Sequence, residues 1–159
     1  MNAALQRLRA EIGFDRAAFA ARIEELAGLH LPPDSSGADQ RARAAVALHH
    51  AYGAIESIMV RAARFLEGDV PEGPDWHQGL LPSMGLAIDG VPPAIFSADT
   101  IAVLRHLLGF RHFFRHAYAV DLDAARLDIL GREMVENAPR ILTELDSLDA
   151  FLSQVSAGR

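Results

Sequence analysis

The sequence predicts an all-α fold, an up-and-down bundle of about five helices, in one domain over residues 1–159. Apolar residues recur at steps of three, four or seven along most of the chain, which is the spacing of helices with one buried stripe. No alternating pattern typical of a strand extends beyond four residues. The connections are short and the first three contain proline or glycine, which favours neighbouring helices that run up and down.

The first two predicted helices are separated by a loop rich in proline. Helix one is predicted over about residues 3–29 and ends before the segment 31–37, because its two prolines remove backbone donors and disfavour helical geometry in the preceding residues. Helix two is predicted from Asp39 to Leu66 and has the most regular stripe. The stripe of helix one is Leu5, Leu8, Ile12, Phe19, Ile23 and Leu26, and that of helix two is Ala45, Leu48, Tyr52, Ile55, Met59, Ala62 and Leu66.

A short third helix is predicted after the glycine- and proline-rich segment 68–74. Asp75, with Gln78 three residues later, is typical of a capping box, and the helix is predicted to extend through Met84. Trp76 at its start is expected to plug one end of the bundle, and a recognition role for Trp76-His77 is the less favoured interpretation.

The last two helices follow a loop at residues 89–93. Ser97 or Asp99 is the predicted cap of helix four, which extends through Val120. Helix five begins near Asp123 and crosses Pro139, where we expect a kink or a break with Asn137 capping the second half. The stripe of helix four is Val103, Leu107, Phe110, Phe114 and Ala117, and that of helix five is Leu127, Leu130, Met134, Ile141, Leu145, Leu148, Leu152 and Val155.

Composition excludes several classes of protein. A formal net charge of -6 means that contact with nucleic acid requires a local basic cluster. The absence of cysteine excludes disulfides, thiolate zinc sites and cysteine nucleophiles, and it fits a reducing cytoplasm. Charges in residues 1–11 do not fit a signal peptide, and no apolar segment is long enough to span a membrane. We therefore expect a cytoplasmic protein without a membrane partner.

The densest polar cluster lies on helix four, where three Arg-His pairs fall within twelve residues. At about 100° per residue, Arg111, Arg115 and Tyr118 continue the line of Leu104 and Leu108, so a buried stripe becomes cationic. Burial of arginine without a partner is costly, which indicates either an acidic partner or a groove that receives an anion. The alternative is a solvated end of the bundle, with arginine stems lying over apolar surface.

Metal chemistry is the weaker interpretation of the same cluster. His112 and His116 stand four residues apart, as two metal-binding imidazoles do, and His49 or His50 could add a ligand from a facing helix. No glutamate occupies the position that a zinc hydrolase needs, and Arg115 would place a positive charge beside the ion. His49 and His50 are therefore expected to be partly buried, hydrogen-bonded histidines. Neither a Gly-x-Ser-x-Gly elbow nor a Gly-Lys phosphate loop occurs.

Residues 111–118, Arg-His-Phe-Phe-Arg-His-Ala-Tyr, resemble the Arg-x4-6-His motif of HEPN-domain ribonucleases and, as Arg-x4-His-x-Tyr, the motif of HepT toxins. The segments 52–56, 71–81 and 110–123 are similar to the HepT-like branch as well. The resemblance covers roughly residue 44 to the C-terminus, while helix one is generic. Asparagine often follows the motif arginine in HepT proteins. His112 stands there in this chain, which leaves open whether His112 or His116 transfers the proton.

The resemblance implies a metal-independent endoribonuclease without a cofactor, the toxin of a type II toxin-antitoxin pair and usually a homodimer. It implies that Arg111 holds the scissile phosphate, that His116 transfers a proton and that Tyr118 orients the phosphate. His112 and Arg115 would be secondary phosphate-binding residues. The partners implied are an RNA substrate and a nucleotidyltransferase antitoxin that modifies Tyr118. The residue types agree, because histidine transfers protons near neutral pH and arginine stabilises a pentacovalent phosphorane without a metal.

Two other functions remain open from the sequence. One is a catalytically inactive HEPN module that binds RNA or a partner protein, and the other is a metal hydrolase of the helical-bundle type. The oligomeric state can be argued from geometry, because Arg111 and His116 are about 140° apart around an ideal helix. Either helix four distorts near His116, or two copies meet and form one cleft from both helices. We expect a homodimer.

Overall fold

The computed structural model describes residues 3–29, 31, 37–68, 72–86, 94–116 and 122–157. These residues form five α-helices and no strand, so the all-α prediction is confirmed. The helices are α1 (Ala3–Gly28), α2 (Ala38–Leu66), α3 (Trp76–Ser83), α4 (Ala98–His116) and α5 (Ala124–Ala157). None of the described helices is both long and apolar enough to cross a membrane.

Four long helices form a ring in the order α1, α2, α4 and α5, and α3 packs against α2 and α4. Neighbouring helices in the ring are antiparallel. Along each pair of helices, the residue numbers of the paired side chains increase in one helix while they decrease in the other. Between α1 and α2, Asp15 pairs with Arg61 at 2.9 Å, and Glu25 lies 3.9 Å from Arg43. The other pairs that show this order are Arg9–Asp149 and Arg16–Asp146 between α1 and α5, and Ser97–Glu144 and His106–Glu133 between α4 and α5.

The core lies inside the ring and follows the predicted stripes. The stripes of α1, α2 and α5 are buried at most predicted positions, and the larger side chains that are fully buried include Tyr52, Phe19 and Phe96. Leu8, Leu130 and Val155 are only partly buried against this core. On α4 the buried residues are Thr100, Ile101, Val103, Leu104, Leu107 and Leu108, while Phe110 and Phe114 are partly buried. The cationic end of α4 therefore begins where its fully buried stripe stops.

Pro139 neither breaks α5 nor starts a new helix, so the expected break was wrong. The helix is continuous from Ala124 to Ala157, with Pro139 exposed between the buried residues Ala138 and Ile141. Burial of these neighbours holds the backbone helical although proline cannot donate a hydrogen bond. Asn137 does not cap a helix, since its amide donates to the Glu133 carbonyl at 2.8 Å within the same helix.

The helix starts agree with the sequence in position but not always in hydrogen bonding. The amide of Thr100 donates to Ser97 Oγ at 3.3 Å, which confirms the cap of α4. Asp75 occupies the N-cap of α3, but its side chain caps no amide, because its backbone (φ -105°, ψ 18°) is not extended as an N-cap usually is. The predicted end of helix four at 117–120 and the loop residues 32–36, 69–71 and 89–93 fall outside the described residues.

Candidate functional site

Arg111 on α4 reaches across to α2 and pairs with a carboxylate there. Its Nη2 donates to Glu56 Oε1 at 3.2 Å, and both side chains are only 12% exposed. The guanidinium carbon lies 5.8 Å from the centre of the Tyr52 ring, one turn before Glu56 on α2. The two charges are brought together because each continues the inward stripe of its own helix. Pairing offsets the cost of removing them from water.

The second carboxylate oxygen of Glu56 binds a histidine from a third helix. Oε2 lies 2.7 Å from Nδ1 of His77 at the start of α3, and the His77 side chain is 15% exposed. The Trp76 ring covers His77, with ring centres 3.6 Å apart, and Trp76 itself packs against the core. Glu56 thus joins α2, α3 and α4 through one carboxylate. We call the set Arg111, Glu56 and His77 the charged junction.

Unpaired polar atoms are concentrated beside the charged junction. Seven buried side-chain atoms have no hydrogen-bond partner among the described residues, and four of them lie on α2 or α4 within two turns of Glu56 or Arg111. These four are His49 Nδ1, Tyr52 Oη, Arg111 Nη1 and His112 Nε2. Native proteins leave few buried polar groups unpaired, and such groups gather where water, an ion or a substrate is taken up. Their concentration here indicates a site for a polar ligand.

Burial and neighbouring charges favour the neutral forms of His49 and Tyr52. Burial lowers the pKa of His49, and the positive charges of Arg111, His50 and Arg115 lower it further, partly opposed by Glu56. The His49 ring lies 5.3 Å from Phe114 of α4. Burial also raises the pKa of Tyr52, and the Glu56 carboxylate acts in the same direction. Arg111 and Glu56 are therefore the charges that a ligand would meet.

Gly53 leaves open space at this surface of α2. It stands four residues after His49 and three before Glu56, on the same side of the helix. A Cβ atom built there meets no heavy atom within 4 Å apart from the neighbouring backbone. No other side chain therefore packs against α2 at Gly53, next to the charged junction.

The predicted site residues differ in how far the structure buries them. Arg111 lies in the core-facing position that the stripe predicts, whereas Arg115 and His116 are exposed in the last turn of α4. His112 is partly buried, and Tyr118 falls outside the described residues. The helix is regular through His116, so it does not distort to bring His116 beside Arg111. The sequence did not predict that Glu56 pairs with both Arg111 and His77.

His49 and His50 agree only in part with their predicted environments. His49 is partly buried as expected, but its Nδ1 lacks the hydrogen bond that was expected, and His50 is exposed. In the described part of the chain, no three His, Asp or Glu side chains are grouped closely enough to hold a metal ion. The metal-binding interpretation of His112 and His116 therefore gains no third ligand from His49 or His50.

A sequence model of one protein family matches most of the chain. The family is described as HepT-like protein, and the match covers residues 43–155, from the first turns of α2 to the last turns of α5. This agrees with the extent of the resemblance seen in the sequence, and it leaves out all of α1. No curated protein and no solved structure has a significant match to the chain.

Proposed function

This chain belongs to the HepT-like protein family, and from that membership we propose that it is a metal-independent endoribonuclease acting as the toxin of a toxin-antitoxin pair. Membership relates it to HEPN-type modules associated with ribonuclease activity. The proposal adds a chemical reaction and a set of residues. RNA is cleaved by its own 2′-hydroxyl with the Arg-x4-His-x-Tyr motif formed by Arg111, His116 and Tyr118.

The hydrogen bonding and burial of the Arg111 guanidinium are the observation that most directly supports the proposal. One arm of its guanidinium is fixed by Glu56, while Nη1 is buried and unpaired. An arginine held by one arm presents its other donors in a fixed direction, which suits a phosphate oxygen. Arg115, exposed one turn later on the same helix, adds a second cation for the RNA backbone.

The chemistry needs the 2′-oxygen to attack phosphorus while the 5′-oxygen leaves. Arg111 stabilises the charge that develops on the phosphorane oxygens, and His116 transfers a proton. His112 would serve as a secondary contact, and Tyr118 would orient the phosphate. The products are a 2′,3′-cyclic phosphate and a free 5′-hydroxyl, and no step requires a metal.

We propose a homodimer as the active species. Arg111 points toward α2, while His116 is exposed at the end of a regular helix. One chain therefore does not readily aim both side chains at one phosphate. A two-fold contact between two α4 helices would complete the site with His116 from the second copy.

Purified protein incubated with total RNA tests the function. We expect cleavage that survives excess EDTA and leaves 2′,3′-cyclic phosphate ends, because the nucleophile is the neighbouring hydroxyl. End mapping before and after treatment with a phosphatase that opens cyclic phosphates measures this. Cleavage that is lost in EDTA and restored by zinc or manganese would contradict the proposal and favour a metal hydrolase.

A non-catalytic HEPN module is the second candidate, because Glu56 already neutralises Arg111 in the free protein. In that case RNA or a protein would bind near α4 without turnover. The same experiment separates the two functions when it is combined with a filter-binding measurement. Retention of RNA without any cleaved product would favour the module.

A nucleotidyltransferase antitoxin is the proposed protein partner, with Tyr118 as the residue that it modifies. A nucleotide on Tyr118, three residues after Arg115 and seven after Arg111 in the sequence, would add a phosphate that can pair with either arginine and would block RNA by charge and volume. Co-expression with an adjacent nucleotidyltransferase should raise the intact mass by whole AMP units and abolish cleavage. Tyr118→Phe should prevent the gain. An equal mass gain in the Tyr118→Phe variant would contradict the assignment.

A further inference from the structure

We propose that His77 is a second catalytic residue of this site, the general base that removes the proton from the attacking 2′-hydroxyl. The inference rests on the proposed ribonuclease function and assigns a residue outside the Arg-x4-His-x-Tyr motif. It starts from the hydrogen bond between His77 and Glu56 at the charged junction.

The reaction needs two proton transfers, and the motif offers one exposed histidine for them. The 2′-hydroxyl must lose a proton as it attacks, and the 5′-oxygen must gain one as it leaves. His116, exposed at the end of α4, can serve one of these roles. The other role requires a second group that accepts or donates a proton near neutral pH.

His77 has the orientation that a general base needs. Glu56 Oε2 lies 2.7 Å from its Nδ1. In the proposed role Nδ1 donates to this carboxylate, which leaves Nε2 as the nitrogen that takes the proton. A carboxylate behind an imidazole fixes its tautomer and stabilises the imidazolium that forms when it takes a proton. Trp76 covers one face of the ring and further fixes its direction.

Glu56 also places this base beside the phosphate site. Its other oxygen holds Arg111 at 3.2 Å, so one carboxylate sets the positions of both the base and the phosphate-binding cation. A Cβ atom at Gly53, one turn before Glu56, would meet no neighbouring side chain within 4 Å, so the flank of α2 next to Glu56 is not filled by another helix. The His77 side chain is 15% exposed, so it is not sealed from solvent.

The neighbouring groups fit the role less well. Glu56 already accepts one hydrogen bond on each oxygen, so it acts as a positioning residue. His49 lies on the same side of α2, but no described residue is hydrogen-bonded to its Nδ1, so no partner fixes its tautomer. His77 alone combines an orienting carboxylate with a link to Arg111.

The step balances without any further reactant. The O2′–P bond forms and the P–O5′ bond breaks, while the 2′-hydroxyl proton passes to Nε2 of His77 and His116 gives its proton to O5′. The products are the 2′,3′-cyclic phosphate and the 5′-hydroxyl. Water then returns both histidines to their starting protonation states, with no oxidant, reductant or metal.

Two substitutions of His77 separate a base from a positioning residue. His77→Ala removes the ring, while the amide of His77→Asn can still donate to Glu56 from near the Nδ1 position but accepts no proton. For a base, both variants should lose about 10²-fold or more in single-turnover cleavage of RNA. A variant His77→Asn with near wild-type turnover would overturn the proposal, because the role would then be one of positioning.

His106→Ala is the matched control for the loss of a histidine-carboxylate pair. His106 is also bound through Nδ1 to a glutamate, Glu133 at 2.9 Å, but it is 64% exposed and faces α5. This variant should cleave at the wild-type rate. Thermal melts of all variants show that they fold, and binding of an RNA with 2′-O-methyl groups shows that they hold the substrate.

An RNA with a sulfur at the 5′-bridging position identifies the base. Sulfur leaves without protonation, so this substrate should restore cleavage to His116→Ala but not to His77→Asn or His77→Ala. Free imidazole should partly restore His77→Ala. Rescue of the His77 variants by the sulfur substrate would overturn the assignment of His77 as the base. Equal cleavage rates of wild type and His77→Ala would also overturn it, but would leave the ribonuclease function intact. Absence of cleavage by the wild type would instead remove the function on which the proposal rests.

Discussion

Arg111→Ala is expected to lower RNA cleavage by about 10²–10³-fold, because it removes the cation aimed at the phosphorane charge. Arg111→Lys should recover little of this loss, since an ammonium lacks the planar fork that binds Glu56 and a phosphate oxygen together. Single-turnover rates on a defined RNA measure both effects. The fold should survive, because Glu56 keeps its bond to His77 when Arg111 is removed.

Arg132→Ala is the control for the loss of one arginine charge. Arg132 is exposed on α5 and pairs with Asp128 one turn before it, away from the charged junction. Surface pairs of this kind contribute about 0–1 kcal/mol to stability. Its cleavage rate should equal that of the wild type. An Arg111→Ala protein that is folded and cleaves RNA normally would exclude Arg111 from the site.

A mixture of two inactive variants distinguishes a shared site from a site within one chain. If Arg111 and His116 come from different copies, a dimer of Arg111→Ala with His116→Ala contains one intact site. Random exchange of subunits should then restore about a quarter of the wild-type activity. A mixture that stays inactive after exchange, shown by mass spectrometry of the dimers, would place both residues in one chain.

Phe19→Ala is expected to cause the largest loss of stability, about 3–5 kcal/mol. Phe19 is 0% exposed on α1, which packs between α2 and α5. Truncation leaves a cavity that rigid helices on both sides fill only in part. Urea unfolding followed by circular dichroism measures the change, and a single transition is expected if α1 belongs to the same cooperative unit.

Phe14→Ala on the same helix is the matched control, because Phe14 is 76% exposed. Its effect should stay within about 0.5 kcal/mol. If Phe19→Ala unfolded α1 in a separate early transition, α1 would be an addition to an independently stable family core at residues 43–155. That result would contradict the single-domain expectation.

Apolar periodicity was sufficient to predict the helices and their directions of burial. The stripes of α1, α2 and α5 point to the core because a 3.6-residue repeat has one apolar face whatever lies opposite. Pro139 shows the limit of local rules, since the burial of Ala138 and Ile141 outweighs the lost hydrogen bond. Tertiary packing of this kind is not visible in a local sequence pattern.

The site was only half predictable. Arg111 was found because an arginine continues an apolar stripe, and Glu56 could have been found by the same argument, since it lies on the inward side of α2 one turn after Tyr52. An inward-facing charge is strongly destabilising unless an opposite charge pairs with it, so an arginine and a glutamate on two inward stripes are expected to pair. Spacing along one helix does not reveal which helix faces which. The contact of His77 with Glu56 depends on where the short helix α3 packs, and the sequence does not determine that position.

Glycines within α2 and α4, the helices of Glu56 and Arg111, lower the stability of those helices. Gly53 on α2 and Gly109 on α4 each lie within a helix, and a methyl group at either would meet no neighbouring atom within 4 Å. Packing therefore does not require glycine at either position, although glycine within a helix is about 0.5–1 kcal/mol less favourable than alanine. Both helices therefore have a lower intrinsic helix propensity than alanine at these positions would give them. Their stability depends more on the burial of their apolar faces against other helices. Alanine at either position would therefore strengthen its helix without meeting the core, and at Gly53 it would do so next to the charged junction.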